Sequence, residues 1–202
     1  DFSGGAIPTG WYREGANSGQ NWSVYSSNFA GGVAPELRVN YNPIFSNSYS
    51  RIVSCLFDVN FSNGLQIQFK HRYNSIDYGV VTEVLLTDGS GNFTVVYTNE
   101  SNPSQDISAC TETLCLENPY PSCDSLRICF QVTTLPDQSS SSFNAWGIDD
   151  IVVTDIIPCP GTWSLAESPI LIDSAQFVPN GSNLTIEPGV EVQFSGAGHL
   201  NV

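Results

Sequence analysis

"VSCLFDVNFSNGLQIQFKHRY", residues 53 to 73, contains two runs in which apolar and polar side chains alternate. The alternation predicts that two sets of apolar side chains each share one face: Val53, Cys55, Phe57, Val59 and Phe61, then Leu65, Ile67 and Phe69. A period of two residues is typical of strands with one buried face. Asn63-Gly64 lies between the runs and favours a tight hairpin, because both residues tolerate positive φ. This stretch therefore predicts an antiparallel hairpin.

The strand pattern continues along the chain, and no segment has a sustained helical period. Residues 80–98 predict a second hairpin around the turn 89–92, and residues 125–134 and 145–156 each predict a strand. One face of residues 125–134 is apolar: Leu126, Ile128, Phe130 and Val132. About seven strands with regularly spaced turns predict an all-β fold, an antiparallel β-sandwich of jelly-roll type over residues 1–157.

Two segments of this region predict connections rather than strands. Residues 99–124 contain three prolines and three cysteines, and we expect a long loop that cysteines hold in place. Residues 137–143, "DQSSSSF", predict a flexible hairpin tip. The sheet should end near "IIPCPG", residues 156–161, because two prolines and a glycine interrupt strand pairing there.

Residues 158–202 follow a different pattern, in which short apolar pairs are separated by turns such as "PNGSN" and "EPG". This spacing is typical of short strands laid around a coil, and it predicts one or two turns of parallel β-coil. We therefore expect a second unit after the sandwich.

Composition limits the possible partners. The 202 residues include six Lys and Arg and carry a net charge of −14. So few cations exclude nucleic acid and anionic membrane surfaces as partners, and no apolar run is long enough for membrane insertion. The chain begins at Asp1 without Met or an apolar leader, from which we expect a mature protein that is secreted or held at the cell surface.

Six cysteines in a chain without Met favour disulfides formed in an oxidising compartment: Cys55, Cys110, Cys115, Cys123, Cys129 and Cys159. Zinc is the alternative, but it prefers Cys-x-x-Cys pairs, and the sequence has none. The pairing stays open, and we expect at least one local bridge within residues 110–129.

Six sequons predict N-linked glycans if the host is a eukaryote: Asn21, Asn60, Asn92, Asn99, Asn180 and Asn183. In a bacterium, most of these positions would be ordinary turn and strand asparagines.

Two motifs of the first region, "AIPTGWYREGANSGQNW" (6–22) and "WGIDDIVV" (146–153), resemble the MAM-like jelly-roll domains of secreted and surface proteins. The resemblance implies a Ca²⁺ site in the last strand at Asp149 and Asp150, shared with an N-terminal acidic residue, here Asp1. Hard oxygen ligands suit Ca²⁺. The alternative is that these carboxylates accept hydrogen bonds from turn amides or pair with Arg.

"SPILIDSAQFVPNGSNLTIEPGVEVQF", residues 168–194, is similar to the first turns of right-handed parallel β-helix proteins. A lone turn of such a coil cannot cover its own apolar side chains or its unpaired backbone groups. We therefore expect the segment to pair with another chain through seven side chains: Leu184, Ile186, Val190, Val192, Phe194, Leu200 and Val202.

Three hypotheses for function follow. The preferred one is a secreted, glycosylated structural subunit that assembles head-to-tail with copies of itself into an extracellular fibril or surface filament. The alternative is a carbohydrate-binding or adhesion module of a larger surface protein. The candidates for its sugar-binding surface are seven aromatic residues: Trp11, Tyr12, Trp22, Tyr25, Tyr41, Tyr73 and Tyr78. The alternative role for these residues is packing in the core and in loops.

The third hypothesis, an enzyme fragment, is not favoured. The only histidines are His71 and His199, neither is accompanied by a G-x-S-x-G motif, and no carboxylate pair is distinguished from the other acids. We expect a protein without catalytic residues.

Overall fold

The computed structural model describes residues 2–40, 42–43, 45–59, 64–75, 80–100, 106–134, 143–158, 161–173, 175–178, 183–196 and 198–201. Its regular elements are nearly all strands, which confirms the all-β prediction. Helix is limited to α1 (Ser18–Asn21) and a 3-10 turn (Leu165–Glu167). Eleven strands form the sandwich: β1 (Tyr12–Gly15), β2 (Trp22–Tyr25), β3 (Glu36–Val39), β4 (Ser48–Val53), β5 (Phe57–Asp58), β6 (Gly64–Ser75), β7 (Val80–Thr87), β8 (Thr94–Glu100), β9 (Ile107–Glu117), β10 (Ser125–Thr134) and β11 (Phe143–Pro158).

Two antiparallel sheets make up the sandwich. The first sheet has the order β1-β4-β10-β7-β8, with β5 paired to β10. In the second sheet β11 lies between β3 and β6, β2 pairs with β3, and β9 pairs with β6. The predicted antiparallel sandwich is confirmed.

The core forms where the apolar faces of the two sheets meet. The predicted inward side chains of β6 and β10 are all buried: Leu65, Ile67, Phe69, Leu126, Ile128, Phe130 and Val132. Aromatic rings join the sheets edge to face, at centroid distances of 5.6 Å for Phe69–Phe130, 5.8 Å for Phe130–Trp146 and 6.3 Å for Trp146–Trp22. Such contacts add to the burial energy of the rings, so this aromatic chain holds the framework rigid.

The hairpin predicted over residues 53–73 is wrong, because β5 pairs with β10 in the first sheet whereas β6 pairs with β9 and β11 in the second. The single strand predicted over residues 53–61 is also wrong, and Phe61 lies outside the described residues. β4 ends at Val53 and the short β5 follows, with three residues between them. The Ser54 hydroxyl accepts the Ile128 amide hydrogen at 3.0 Å, and this side-chain bond interrupts the regular ladder. Val53 lies on the outer face with Leu85 and Cys129, because it alternates along β4 with Ile52 of the main core.

The long loop predicted over residues 99–124 is also wrong, because it contains β9. This strand pairs with β6 from Gly64↔Glu117 to Tyr73↔Ile107. Leu114 and Leu116 pack against the core, and Glu112 on the same face lies 3.8 Å from the buried His71, while Thr111 and Thr113 are exposed. Pairing with a long neighbouring strand outweighs the weak local preference of this polar sequence.

Five cysteines lie within the described residues, and all are free thiols: Cys55, Cys110, Cys115, Cys123 and Cys129. Cys159 lies outside the described residues. Cys110 and Cys115 are five positions apart on β9, which places them on opposite faces and about 16 Å apart. A disulfide spans at most about 7 Å between Cα atoms, so this fold excludes a bridge between these two. The other pairings stay a prediction.

Residues after the sandwich form two stacked turns of parallel β-coil. The first turn consists of β12 (Thr162–Trp163), β13 (Ile170–Ile172) and β14 (Ala175–Phe177), and the second of β15 (Thr185–Ile186), β16 (Val192–Phe194) and β17 (His199–Asn201). Each strand of the first turn pairs in parallel with its counterpart in the second. β14 also pairs with Ile157–Pro158 at the end of β11, which joins the coil to the second sheet.

The coil has a small core of its own around Trp163 and Ile172. Four of the predicted assembly residues pack against this core: Leu184, Val190, Val192 and Leu200. Each of the four remains partly exposed, so assembly through them stays a prediction. Ile186 and Phe194 are 46% and 56% exposed, while Val202 lies outside the described residues. Within the described residues, no helix is long and apolar enough to cross a membrane.

Candidate functional site

A row of polar side chains crosses the outer face of the first sheet. The register places Glu14 of β1 opposite Arg51 of β4, Arg51 opposite Gln131 of β10, and Gln131 opposite Glu83 of β7. Because alternate residues of a strand share a face, all four side chains lie on the side away from the core. We call these four residues the polar row.

Hydrogen bonds fix the polar row from end to end. Arg51 donates to Glu14 through Nε, at 2.8 Å, and through Nη2, and its Nη1 donates to Gln131 at 3.4 Å. Gln131 Nε2 donates to Glu83 at 2.8 Å, and the Thr133 hydroxyl donates to the same carboxylate at 3.1 Å. Each side chain is therefore held in one orientation, as a binding surface requires.

Two exposed tyrosines flank the polar row. Tyr12 is 38% exposed and lies opposite Val53, and Tyr49 is 37% exposed at the other side of Arg51. Gly15, at φ +86°, lies under the Tyr49 ring, where a Cβ would come within 2.8 Å of ring carbons. Glycine is therefore needed there for the ring to lie against the sheet.

A third ring, Phe93, completes this surface. It comes from the turn between β7 and β8, and it packs on the small apolar cluster of Val53, Leu85 and Cys129. The Arg51 guanidinium carbon lies 3.7 Å from the centroid of Phe93, within cation–π range. We call Tyr12, Tyr49, Phe93 and the polar row the aromatic platform.

Burial keeps two titratable groups at the platform neutral. Burial raises the pKa of the Cys129 thiol beneath Phe93, so the thiol stays protonated. Burial and then the Glu14 carboxylate raise the pKa of Tyr12, so its hydroxyl remains a neutral hydrogen-bond donor. The arrangement can stack rings and exchange hydrogen bonds.

The predicted sugar-stacking aromatics do not lie together. Among those that the structure describes, only Tyr12 belongs to the platform. Trp22 and Tyr73 lie in the core, Trp11 packs against Phe2, and Tyr25 lies beside Arg38. Tyr41 and Tyr78 lie outside the described residues. Sequence reasoning missed Tyr49 and Phe93. The alternation "SYSRIV" over residues 48–53 was the available signal, since it places Tyr49 and Arg51 on one face.

The predicted acidic pair lies on the second sheet, at a bulge in β11. Asp149 is 4% exposed, and its Oδ2 has no hydrogen-bond partner among the described residues. Asp150, at φ 47°, points outward and pairs with Lys70 at 2.8 Å. Gly32 faces Asp149 so closely that a Cβ there would come within 2.0 Å of Oδ2.

Burial is the main cause that raises the pKa of Asp149, and the Asp150 and Glu36 carboxylates add to it. The Asp150 amide and Lys70 act in the opposite direction. Burial would also raise the pKa of Glu36, but the Ala30 amide, the Ser27 hydroxyl and Arg38 hold it below its ordinary value. Of the two buried acids, Asp149 therefore has fewer groups than Glu36 that stabilise its charged form.

A cavity of about 170 Å³ opens beside Asp149, lined by Phe2, Ser3, Val33, Ala34, Pro35, Asp149 and Asp150. An unpartnered carboxylate oxygen suits a hard cation such as Ca²⁺. The part of the chain that the structure describes contains no group of three or more acidic, His or Cys side chains arranged to hold a metal. Asp1, the predicted third ligand, lies outside it, so the Ca²⁺ site stays a prediction.

His71 lies inside the sandwich. It is 1% exposed, and its Nδ1 accepts a hydrogen bond from Trp146 Nε1 at 3.3 Å. Burial lowers the pKa of His71 to about 4. The side chain is therefore neutral at physiological pH and closed to substrates.

The sequons differ in accessibility. Asn21 is fully buried, and its Nδ2 donates to the carbonyls of Asn40 and Pro43, so the folded chain has no room for a glycan on that nitrogen. Asn92 and Asn183 are exposed and Asn99 is half-buried, while Asn60 and Asn180 lie outside the described residues.

No family model matches the chain, and no curated protein matches it. Several solved structures share its fold. A cleaved adhesin domain of Lys-gingipain from Porphyromonas gingivalis is 12% identical with a TM-score of 0.53, over 74% of this chain and 93% of that chain. A Caldicellulosiruptor saccharolyticus carbohydrate-binding module in complex with mannohexaose is 14% identical with a TM-score of 0.50, over 75% and 92%.

A third solved structure is a carbohydrate-binding module of promiscuous specificity from the β-sandwich superfamily. It is 11% identical with a TM-score of 0.52, over 77% of this chain and 60% of that chain. At such identities the likeness establishes the fold, a jelly-roll β-sandwich like those of carbohydrate-binding and adhesin domains. The resemblances to MAM-like domains and to β-helix proteins stay predictions.

Proposed function

We propose that this chain is a carbohydrate-binding or adhesion module without catalytic activity, which acts outside the cell or at its surface. The aromatic platform is the observation that carries the proposal. Exposed rings can stack on the apolar C–H faces of sugars, and fixed polar side chains can exchange hydrogen bonds with hydroxyls. The fold shared with carbohydrate-binding and adhesin domains supports this reading over a fibril subunit.

A glycan-binding screen with the full chain tests the proposal. Tyr12→Ala should lower binding to any glycan that the wild type retains, because it removes a stacking ring without touching the core. Val152→Ala is the matched control, since Val152 is 49% exposed on the outer face of the second sheet. Binding that responds to Val152→Ala and not to Tyr12→Ala would contradict the assignment.

We also propose that Ca²⁺ binds at Asp149, Asp150 and Asp1 and stabilises the sandwich. The unpartnered Oδ2 of Asp149 supports this. Added Ca²⁺ should raise the melting temperature of the wild type and leave that of Asp149→Asn unchanged; equal responses would contradict the site. N-linked glycans are proposed at the exposed Asn92 and Asn183, and a mass decrease on enzymatic deglycosylation of the native protein would detect them.

The second candidate function is assembly through the coil. Ile186 and Phe194 lie in register with the buried Trp163 and Ile172 but remain exposed. Uncovered apolar side chains on edge strands favour pairing with another chain. Sedimentation velocity of the wild type and of Ile186→Ser/Phe194→Ser tests this: polymers that the double variant loses would support assembly, and a monomeric wild type would exclude it.

A further inference from the structure

The cations of this chain limit what the aromatic platform can bind. The sequence has six Lys and Arg in all, and each lies within the described residues. Two of them, Arg51 and Arg127, lie at the platform. Arg51 is bonded to Glu14 and Gln131, while Arg127 donates to the Ser54 carbonyl at 2.7 Å and lies 5.5 Å from the Tyr12 ring centroid.

The other four cations are engaged elsewhere. Arg38 pairs with Glu36, Lys70 pairs with Asp150, Arg13 donates to the Gly19 and Trp22 carbonyls, and Arg72 lies over the Phe29 ring. Arg72 belongs to β6, so it is on the other sheet. At the platform, Arg51 is ion-paired with Glu14, and Arg127 is held by the Ser54 carbonyl and the Tyr12 ring, so neither guanidinium presents its full fork to a ligand.

An acidic sugar needs a cationic side chain that is not already engaged. Carboxylates and sulfates are recognised by a free Arg fork or a free Lys. The platform instead carries two carboxylates, Glu14 and Glu83, on a chain of net charge −14. A polyanionic glycan would meet repulsion without a compensating ion pair, whereas Glu83 and Gln131 can accept hydrogen bonds from neutral hydroxyls.

The spacing of the two tyrosines adds a length requirement. Tyr12 lies opposite Val53, and Tyr49 is four positions before Val53 on β4. At about 3.4 Å per strand residue the backbone positions of the two tyrosines are about 14 Å apart along the sheet, with the polar row between them. One sugar ring cannot reach both tyrosines, but a short chain of sugars running along β4 can.

We infer that the platform binds neutral oligosaccharides, laid along β4 from Tyr12 to Tyr49, and rejects uronic, sialylated and sulfated glycans. The inference rests on the proposed function and names the ligand class of the same site.

Two matched pairs of probes test it by isothermal titration with the full chain: polymannuronate and polygalacturonate oligosaccharides, each against its own carboxyl-reduced form. The carboxyl-reduced, neutral form should bind at least tenfold more tightly in one or both pairs. Its affinity should change less than twofold when salt is raised about tenfold, because no ion pair is screened. Tyr49→Ala should weaken this binding about tenfold, Val152→Ala should not, and a single neutral monosaccharide should bind more weakly than the chain.

The outcomes separate the two proposals. If the acidic forms bind as tightly or more tightly, lose affinity at high salt and depend on Tyr49, the ligand class is wrong and the proposed function stands. If no glycan of a wider neutral and acidic panel binds, both are wrong. Salt-insensitive binding of the neutral form that depends on Tyr49 supports both.

Discussion

The sandwich and the coil are both built from strands, but they differ in how completely they cover their apolar side chains. Between the two sheets Trp22 and Trp146 are fully buried. In the coil the first turn buries Trp163 and Ile172, whereas the second turn leaves Ile186 and Phe194 exposed above them. A sheet packed on another sheet completes its core, while each turn of a coil depends on the next. The rigid sandwich is therefore the better support for a binding surface.

The largest effect should come from the sandwich core. Trp146→Ala removes a ring that contacts both Trp22 and Phe130 and leaves the His71 Nδ1 without its donor. We expect a loss of about 3–5 kcal/mol in the free energy of unfolding, measured by urea denaturation. Trp146→Phe is the control, which keeps an aromatic ring and should lose less. A loss below about 1 kcal/mol would show that the aromatic chain does not hold the sheets together.

Trp163→Ala makes the same change in the coil and should act locally. It removes the largest side chain of the coil core, so the free energy of local unfolding of the coil should fall by about 3 kcal/mol. One short parallel pairing, Ile157–Pro158 with β14, joins the coil to β11, so β10 should keep its stability. Native-state hydrogen exchange measures both regions. Equal loss of protection in β10 and in residues 162–172 would make the two regions one cooperative unit.

Acid should destabilise the sandwich through His71. Its pKa is about 4 in the folded chain because burial lowers it, against about 6.5 in an unfolded chain. As the pH falls from about 6.5 towards 4, the unfolded chain binds a proton that the folded chain does not, so stability present above pH 6.5 is lost, by about 3 kcal/mol at most. Burial raises the pKa of the neighbouring Glu112, and this acts in the opposite direction.

Urea denaturation at about pH 7 and about pH 4.5 checks the acid effect. His71→Asn, which cannot titrate, should be less stable at neutral pH but should lose less stability on acidification. A wild type and a variant with the same pH dependence would show that His71 is not the titrating group.

The smallest effect is expected at the uncovered turn. Phe194 is 56% exposed, so Phe194→Ser should cost less than about 1 kcal/mol in coil stability. Differential scanning calorimetry of a dilute sample measures this, with Ile172→Ser as the buried control in the same register. Equal losses for both variants would mean that the second turn is covered in solution.

The sequence predicted the strands whose alternation follows their burial. β10 has the predicted bounds, and Leu65, Ile67 and Phe69 face the core as expected. β9 could not be predicted in this way, because its mixed Thr, Cys and Leu residues lie at a sheet edge and are ordered by pairing with β6. The break after Val53 depends on one hydrogen bond from the Ile128 amide to the Ser54 hydroxyl, which no periodicity reveals.

The candidate site was predicted less well than the fold. The sequence pointed to Tyr12 and Asp149, whose roles stay proposals, but the polar row depends on the register of four strands that are far apart in the chain. Gly15 shows the same limit: its role appears only when the Tyr49 ring is seen lying over it. Sequence patterns assign faces to single strands, and only the pairing of strands assembles a site.

The most direct test of the account is to map the ligand on the folded chain by NMR. Backbone amide shifts are followed while a neutral oligosaccharide that binds the full chain is added. The account predicts that the largest perturbations lie on β1, β4, β10 and β7, around Glu14, Arg51 and Gln131, with the coil unchanged. Perturbations confined to the outer face of the second sheet, or to residues 183–201, would contradict it.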